Sequence, residues 1–86
     1  MISRTRPGFW SLYAALDAKT KAAARRTYEL FREQPGHGSL RFKKLGGYAD
    51  VWSVRINEQY RAVGRRQGDT VVWFWIGSHN DFDRMF

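Results

Sequence analysis

Two side chains near the end of this chain are of the types that phosphate chemistry uses. Arg61 sits inside an alternating stretch, Gln59 to Arg65, in which Arg61, Val63 and Arg65 share one face and Tyr60, Ala62 and Gly64 the other. A charge inside a strand is costly unless it is paired or faces a solvated groove. His79 follows an apolar stretch after Gly77 and Ser78, at a sheet margin that holds a side chain firmly yet leaves it accessible. Histidine is the side chain whose ordinary pKa suits proton transfer near neutral pH. An arginine beside it stabilises the extra charge of a pentacoordinate phosphate. Together they are the minimum equipment for metal-free RNA cleavage, in which a ribose 2′-hydroxyl attacks its own phosphate. Taken by itself, a histidine after a strand is more often structural. His79, Asp81 and Asp83 match no compact metal site, and the acids are expected to cap a terminal turn.

The charge balance fits a polyanionic partner. Fifteen Lys plus Arg stand against eight Asp plus Glu, leaving +7, and eleven of the fifteen are Arg. The planar guanidinium pairs with phosphate and stacks on bases, so this bias suits nucleic acid. An acidic protein partner would account for the charge equally well. Having no Cys, the chain cannot form disulfides, a thiolate nucleophile or a zinc–thiolate site. No nucleophile elbow, Walker loop or paired-carboxylate motif is present. No stretch approaches the roughly 18 apolar residues of a spanning helix, and the first ten residues do not resemble a signal peptide, so a cytoplasmic protein without membrane contact is expected.

Eighty-six residues make one domain, 1–86, with a small core. Phe9, Leu12, Tyr13 and Leu16 fall at i, i+3, i+4 and i+7, the stripe of a short helix. Asp17 is the expected N-cap of a second helix from Lys19 to about Gln34. Ala23, Ala24, Thr27, Tyr28, Leu30 and Phe31 form its buried side, and Pro35-Gly36 ends it. The short link makes an antiparallel helical hairpin. His37 reads as an exposed loop residue.

From Leu40 the period becomes two. Leu40 to Leu45 is expected as an edge strand carrying Arg41, Lys43 and Lys44, followed by a turn over residues 46–50. Val51 to Ile56 is the next strand, with Ser53 and Arg55 on one face, and Asn57-Glu58 is a tight turn. Arg66 to Asp69 forms another turn, with Gly68 free to take a positive φ. Thr70 to Ile76 is apolar on both faces: Val72, Phe74 and Ile76 on one, Val71, Trp73 and Trp75 on the other. Such a strand belongs in the middle of a sheet. The expected fold class is α+β, a helical hairpin on a small twisted, mainly antiparallel sheet of three or four strands. The hairpin covers only one face, leaving the other for something else to cover.

Trp52-Ser53-Val54-Arg55-Ile56, Tyr60-Arg61-Ala62-Val63 and Ile76-Gly77-Ser78-His79, in that order after two helices and a basic strand, resemble the RelE/ParE toxin superfamily. The resemblance runs over residues 8–86 and is strongest from 43 to 84; the ending from Trp75 to Arg84 is most similar to the HigB-like and RelE-like mRNA interferases. It implies a type II toxin that needs no cofactor, cleaves mRNA on the ribosome and is silenced by a cognate antitoxin. Arg61 matches the family's strand arginine at the scissile phosphate, and His79 its C-terminal histidine or arginine. Lys43 and Lys44 match a region of RNA-binding or basic lysines, of which alternation lets only one face the groove squarely. Arg55, Arg41 and Arg65 are further RNA-binding candidates.

Many members carry a tyrosine near the C-terminus, where this chain has Phe82 and Phe86. A phenyl ring stacks on a base but moves no proton, so His79 would carry more of the acid–base work. Members usually open on a full strand, and Met1 to Pro7 offers at most a short one. ParE-type members share the fold and much of the motif while poisoning DNA gyrase. That target, or a non-catalytic RNA- or protein-binding remnant, is the alternative.

Overall fold

The computed structural model describes all residues, Met1–Phe86. A strand β1 (Ile2–Thr5) leads into helices α1 (Pro7–Ala14) and α2 (Ala18–Glu33). A single 3-10 turn (Gly38–Leu40) precedes β2 (Lys43–Lys44), β3 (Val51–Arg55), β4 (Tyr60–Gln67) and β5 (Thr70–Ser78), and helix α3 (His79–Met85) closes the chain.

Side-chain chemistry sets the helix ends. Pro7 stands at the start of α1, where a missing N–H costs nothing. Asp17 caps α2 by accepting the Thr20 N–H at 2.7 Å. That bond to the Thr20 backbone, helped by the Thr20 side chain, holds the Asp17 carboxyl below its ordinary value. At the far end of the fold, Ser78 accepts the Asp81 N–H and caps α3.

The sheet has five strands in the order β1-β5-β4-β3-β2. The last four in sequence are antiparallel neighbours, while β1 runs parallel to β5. Sequence reading undercounted by one. Residues 2–5 are too few and too exposed to show alternation, and they are recruited by pairing with β5. The added edge leaves β5 interior but makes β4 the middle strand. The expected strand over 40–45 shrinks to two residues because Leu40 ends the 3-10 turn and Arg41 takes a left-handed φ of 45°. Gly68 takes the positive φ, 59°, of its two-residue hairpin loop as expected.

The helical hairpin packs on one face. Phe9, Phe31, Leu40, Val54, Ala62, Val71, Trp73 and Ile76 form the main core. Phe31, Phe42 and Trp73 meet edge to face or tilted, and Phe42 leans on Trp52. Two expected core residues, Leu12 and Tyr28, are instead exposed, and Thr20 is buried in the α2 stripe.

The face assignment along β5 needs a correction. Val63 pairs with Trp75 but Gly64 pairs with Trp73, so Phe74 is an extra residue opposite β4. This bulge shifts the alternation by one. Val71 and Trp73 face the helical hairpin, and after the bulge it is Ile76 that joins them. Trp75 turns to the other face and packs with Val51 and Val63. Phe74 and Trp75, consecutive in sequence, both meet Phe86.

That second face is covered by α3, an element the sequence reading took only as a capped terminal turn. Phe82 and Phe86 pack on the Val51–Val63–Trp75 cluster. Gly77 makes room for this arrangement. A Cβ there would stand 2.6 Å from the Trp75 ring. Gly77→Ala should therefore cost about 1–3 kcal/mol and shift the Trp75 fluorescence by displacing the indole from under α3. Urea unfolding checks this; a variant as stable as the parent would show that the ring is not held there. For the α2 cap, Asp17→Ala should lower the melting temperature at neutral pH. A carboxylate depressed by folding stabilises the fold above its unfolded pKa and loses that contribution as pH falls through the folded value. The gap between variant and parent should accordingly close in acid below the ordinary aspartate value of 3.8.

Candidate functional site

The site is built where three strands and α3 meet. Register sets Arg55, Arg61 and Gly77 in one row across β3, β4 and β5, on the face turned away from the hairpin. The next row on that face is Lys43, Ser53, Val63 and Trp75. Ser78 and His79 continue from Gly77, and the His79 N–H donates to the Gln59 carbonyl at 2.6 Å. The start of α3 is thereby fixed to the β3–β4 turn. The same turn is closed by Asn57, whose Oδ1 accepts the Gln59 and Tyr60 N–H groups.

Arg61 is half-buried and takes part in none of the ion pairs of the molecule. One terminal nitrogen, Nη1, donates to the carbonyls of Asn57 at 2.7 Å and Tyr60 at 3.1 Å. The guanidinium is thus aimed by backbone acceptors, which orient it without neutralising it. Burial pushes its pKa down, and the nearby charges of Arg55 and then Arg41 push it further; Asp83 acts in the opposite sense. Cations directly opposite across a strand pair are destabilising, and Arg55 opposite Arg61 is such a pair. Arg55 has only a 3.9 Å contact with the exposed Glu58 to offset this. The unspent positive potential is what an entering phosphate would meet.

His79 stands beside this cluster as the first residue of α3. Its Nε2 lies 3.2 Å from Asp83 Oδ2. Its Nδ1 is sealed from solvent with no hydrogen-bond partner. The ring lies nearly parallel to Phe82, at 15° and 6.4 Å between centroids. Nowhere in the chain do three or more His, Asp or Glu side chains converge in a way that could hold a metal ion.

The remaining expected site residues divide. Lys43 pairs with Ser53 and lies on the site's face, whereas Lys44 pairs with Trp52 and lies on the hairpin side. Arg41, though off any strand, comes within the electrostatic reach of Arg61. Arg65 shares the face of Arg61 but stands four residues along β4, about 13 Å away at strand rise, and Nη1 reaches the Ala49 carbonyl. Phe82 is an anchor of α3, packed on Trp75 and Phe86, with one side turned to His79. The site residues that sequence reasoning passed over are Asp83 and Asn57. The Ser78-x-x-Asp81 cap, with Asp83 four residues after His79, was the signal for the first.

Two hollows lie away from this cluster, one at the edge of its face and one on the other side of the sheet. An open polar cleft of about 800 Å³ adjoins Arg55, between α2 and the β3–β4 turn, with Lys19 and Arg26 in its wall. On the hairpin side an apolar groove of about 460 Å³ is lined by Phe9, Tyr13 and Phe31, with Trp10 and Tyr28 exposed at its rim.

If the cluster is held charged against self-repulsion, Arg55→Gln should stabilise the fold by about 0.5 kcal/mol at low ionic strength. The gain should vanish as salt screens the charges. Thermal melts over a salt series check this, and an Arg55→Gln variant less stable at every salt concentration would contradict it.

A family model described as the ParE-like toxin domain matches residues 19–84. No curated protein matches the sequence significantly. The fold is similar to the YoeB/ParE toxin from Agrobacterium tumefaciens, with 22% identity, a TM-score of 0.71 and coverage of 92% of this chain and 99% of that one. It is similar to a chain of the RelB–RelE antitoxin–toxin complex from Methanococcus jannaschii, with 15% identity, a TM-score of 0.77 and coverage of 96% and 98%. YafQ from E. coli aligns with 7% identity, a TM-score of 0.73 and coverage of 93% and 94%.

Proposed function

Because the chain belongs to the ParE-like toxin family, within the RelE/ParE superfamily, we propose that it is the toxin of a type II toxin–antitoxin pair and cleaves mRNA on the ribosome without a metal ion. The observation that carries this reading is the unneutralised Arg61 guanidinium beside His79, with Arg55, Arg41 and Lys43 around it. Arg61 and His79 stabilise charge and move protons rather than attack, so in this reading the substrate brings the nucleophile. In RNA that nucleophile is the 2′-hydroxyl.

The reaction follows from the residues. The 2′-oxygen attacks the adjacent phosphorus while the bond to the 5′-oxygen breaks. Arg61 stabilises the charge that gathers on the phosphoryl oxygens in between. His79 is the proton-transfer group, and the proton lost by the 2′-hydroxyl is balanced by the one gained by the leaving 5′-oxygen. Arg55, Arg41 and Lys43 hold the neighbouring phosphates, and Phe82 offers one side to a base. The products are a 2′,3′-cyclic phosphate and a free 5′-hydroxyl.

The partner in silencing would be a cognate antitoxin. Support comes from the M. jannaschii relative, whose structure is that of an antitoxin–toxin complex. In this chain the net charge of +7 and the apolar groove with Arg4 and Arg25 at its edge suit an acidic, amphipathic segment. A cytoplasmic location goes with these partners, and no helix is long and apolar enough to cross a membrane.

The ParE-like description of the matched family favours a second reading, a toxin directed at DNA gyrase. Inducible expression separates the two. The mRNA reading expects translation arrest, discrete cuts inside translated codons with 5′-hydroxyl ends, and at least 100-fold loss of cutting in His79→Ala or Arg61→Ala, on the scale of a lost acid–base or charge-stabilising group. Intact mRNA together with a DNA-damage response would favour gyrase. Folded variants of both residues that stay fully toxic would overturn the nuclease.

A further inference from the structure

Asp83 stands one helical turn after His79 on α3 and reaches back to it, Oδ2 to Nε2, at 3.2 Å. Nδ1 is buried and unpartnered. One ring nitrogen therefore touches a carboxylate, and the other is buried. The ring is still 45% exposed and Asp83 58% exposed, so this contact sits at the mouth of the site. Asp83 also lies in the field of Arg61 on β4, whose other charged neighbours are cationic: Arg55 from β3 and Arg41 ahead of β2. Asp81, the other acid of α3, is engaged with Arg84.

A carboxylate that touches the histidine and lies in the field of Arg61 stands where a substrate phosphate has to be. We propose that Asp83 is an internal stand-in for that phosphate, a latch that keeps His79 out of use until a phosphate of single-stranded RNA displaces it. The proposal rests on the phosphate-handling reading of Arg61 and His79 given above. It adds the free protein's resting state and the step that ends it. Asp83 is tethered to α3 and satisfies only the histidine. A phosphate presents several oxygens and can engage His79 and Arg61 together, which gives it the advantage in the exchange. Since Nδ1 faces the packed interior, release of Nε2 from Asp83 is the one route by which the ring can reach the reacting oxygens without unpacking α3. A plain i,i+4 helix pair would instead lend α3 a few tenths of a kcal/mol and leave anion binding unchanged.

The sign of one substitution separates these accounts. Binding of a fluorescent 2′-O-methyl RNA oligomer, which cannot be cleaved, is measured by anisotropy at fixed salt for the parent, Asp83→Asn, Asp69→Asn and Arg61→Ala. Asp69→Asn removes the same charge from the β4–β5 turn, at the opposite end of that hairpin from His79. The latch expects Asp83→Asn to bind about five- to tenfold more tightly than the parent, the effect of one adjacent opposing charge, and Asp69→Asn to change binding by less than about twofold. Equal effects of the two, or weaker binding by Asp83→Asn, overturn the latch while the phosphate site stands, provided Arg61→Ala still weakens binding. If Arg61→Ala binds like the parent, the site itself fails and the latch with it. The oligomer is inert to cleavage, so none of these outcomes depends on the nuclease activity.

Discussion

The arrangement depends on one packing constraint, the extra residue at Phe74. Without it, strict alternation along β5 would send Trp75 toward the helical hairpin beside Trp73, and the other face of the sheet would lack an anchor. With it, Trp75 crosses to the far face and meets Phe82 and Phe86. An apolar patch of three buried side chains is thereby created, and α3 folds back to cover it. Gly77 leaves the indole room, and the His79–Gln59 backbone bond pins the start of that helix to the β3–β4 turn. His79 is set beside Arg61 as a consequence of where a tryptophan must be buried.

Electrostatics sets the two faces of the sheet apart, at some cost to the fold. The hairpin face is filled with aromatic and aliphatic side chains, and Arg66 there is settled over the Trp52 ring at 4.6 Å. The opposite face keeps Arg61, Arg55 and Arg41 within reach of one another with little to neutralise them. Backbone carbonyls orient Arg61, and Asp83 is the single acid that acts in its favour. A fold selected for stability alone would pair or remove these charges. Their accumulation on one face, next to a histidine, is why we propose that this surface receives an anion.

Much of this was legible in the chain. The α2 cap at Asp17, the Gly68 turn and the place of His79 just past the strand that pairs with Arg61's follow from residue types and spacing. The fold class and the family followed from the order of short motifs. Other features were hidden because they depend on pairing partners rather than on local pattern. The four residues of β1 have no period of their own and become a strand only against β5. The bulge at Phe74 is invisible in a run where every residue is apolar, since either register buries something. Arg41 left the expected strand because a left-handed turn intervenes, yet it still reaches the site through space. Asp83 was read as a capping acid, and its spacing from His79 brings the two together only because residues 79–85 form a helix rather than a turn.

The account turns on whether a phosphate is received between Arg61 and His79. The most direct measurement is the structure of the protein with an uncleavable single-stranded RNA bound. The account expects a phosphate in contact with the Arg61 guanidinium and His79 Nε2, with Asp83 turned away to solvent and α3 still seated on Trp75. RNA held elsewhere, for instance along Lys19 and Arg26 on α2, with Arg61 untouched and the His79–Asp83 contact intact, would contradict it.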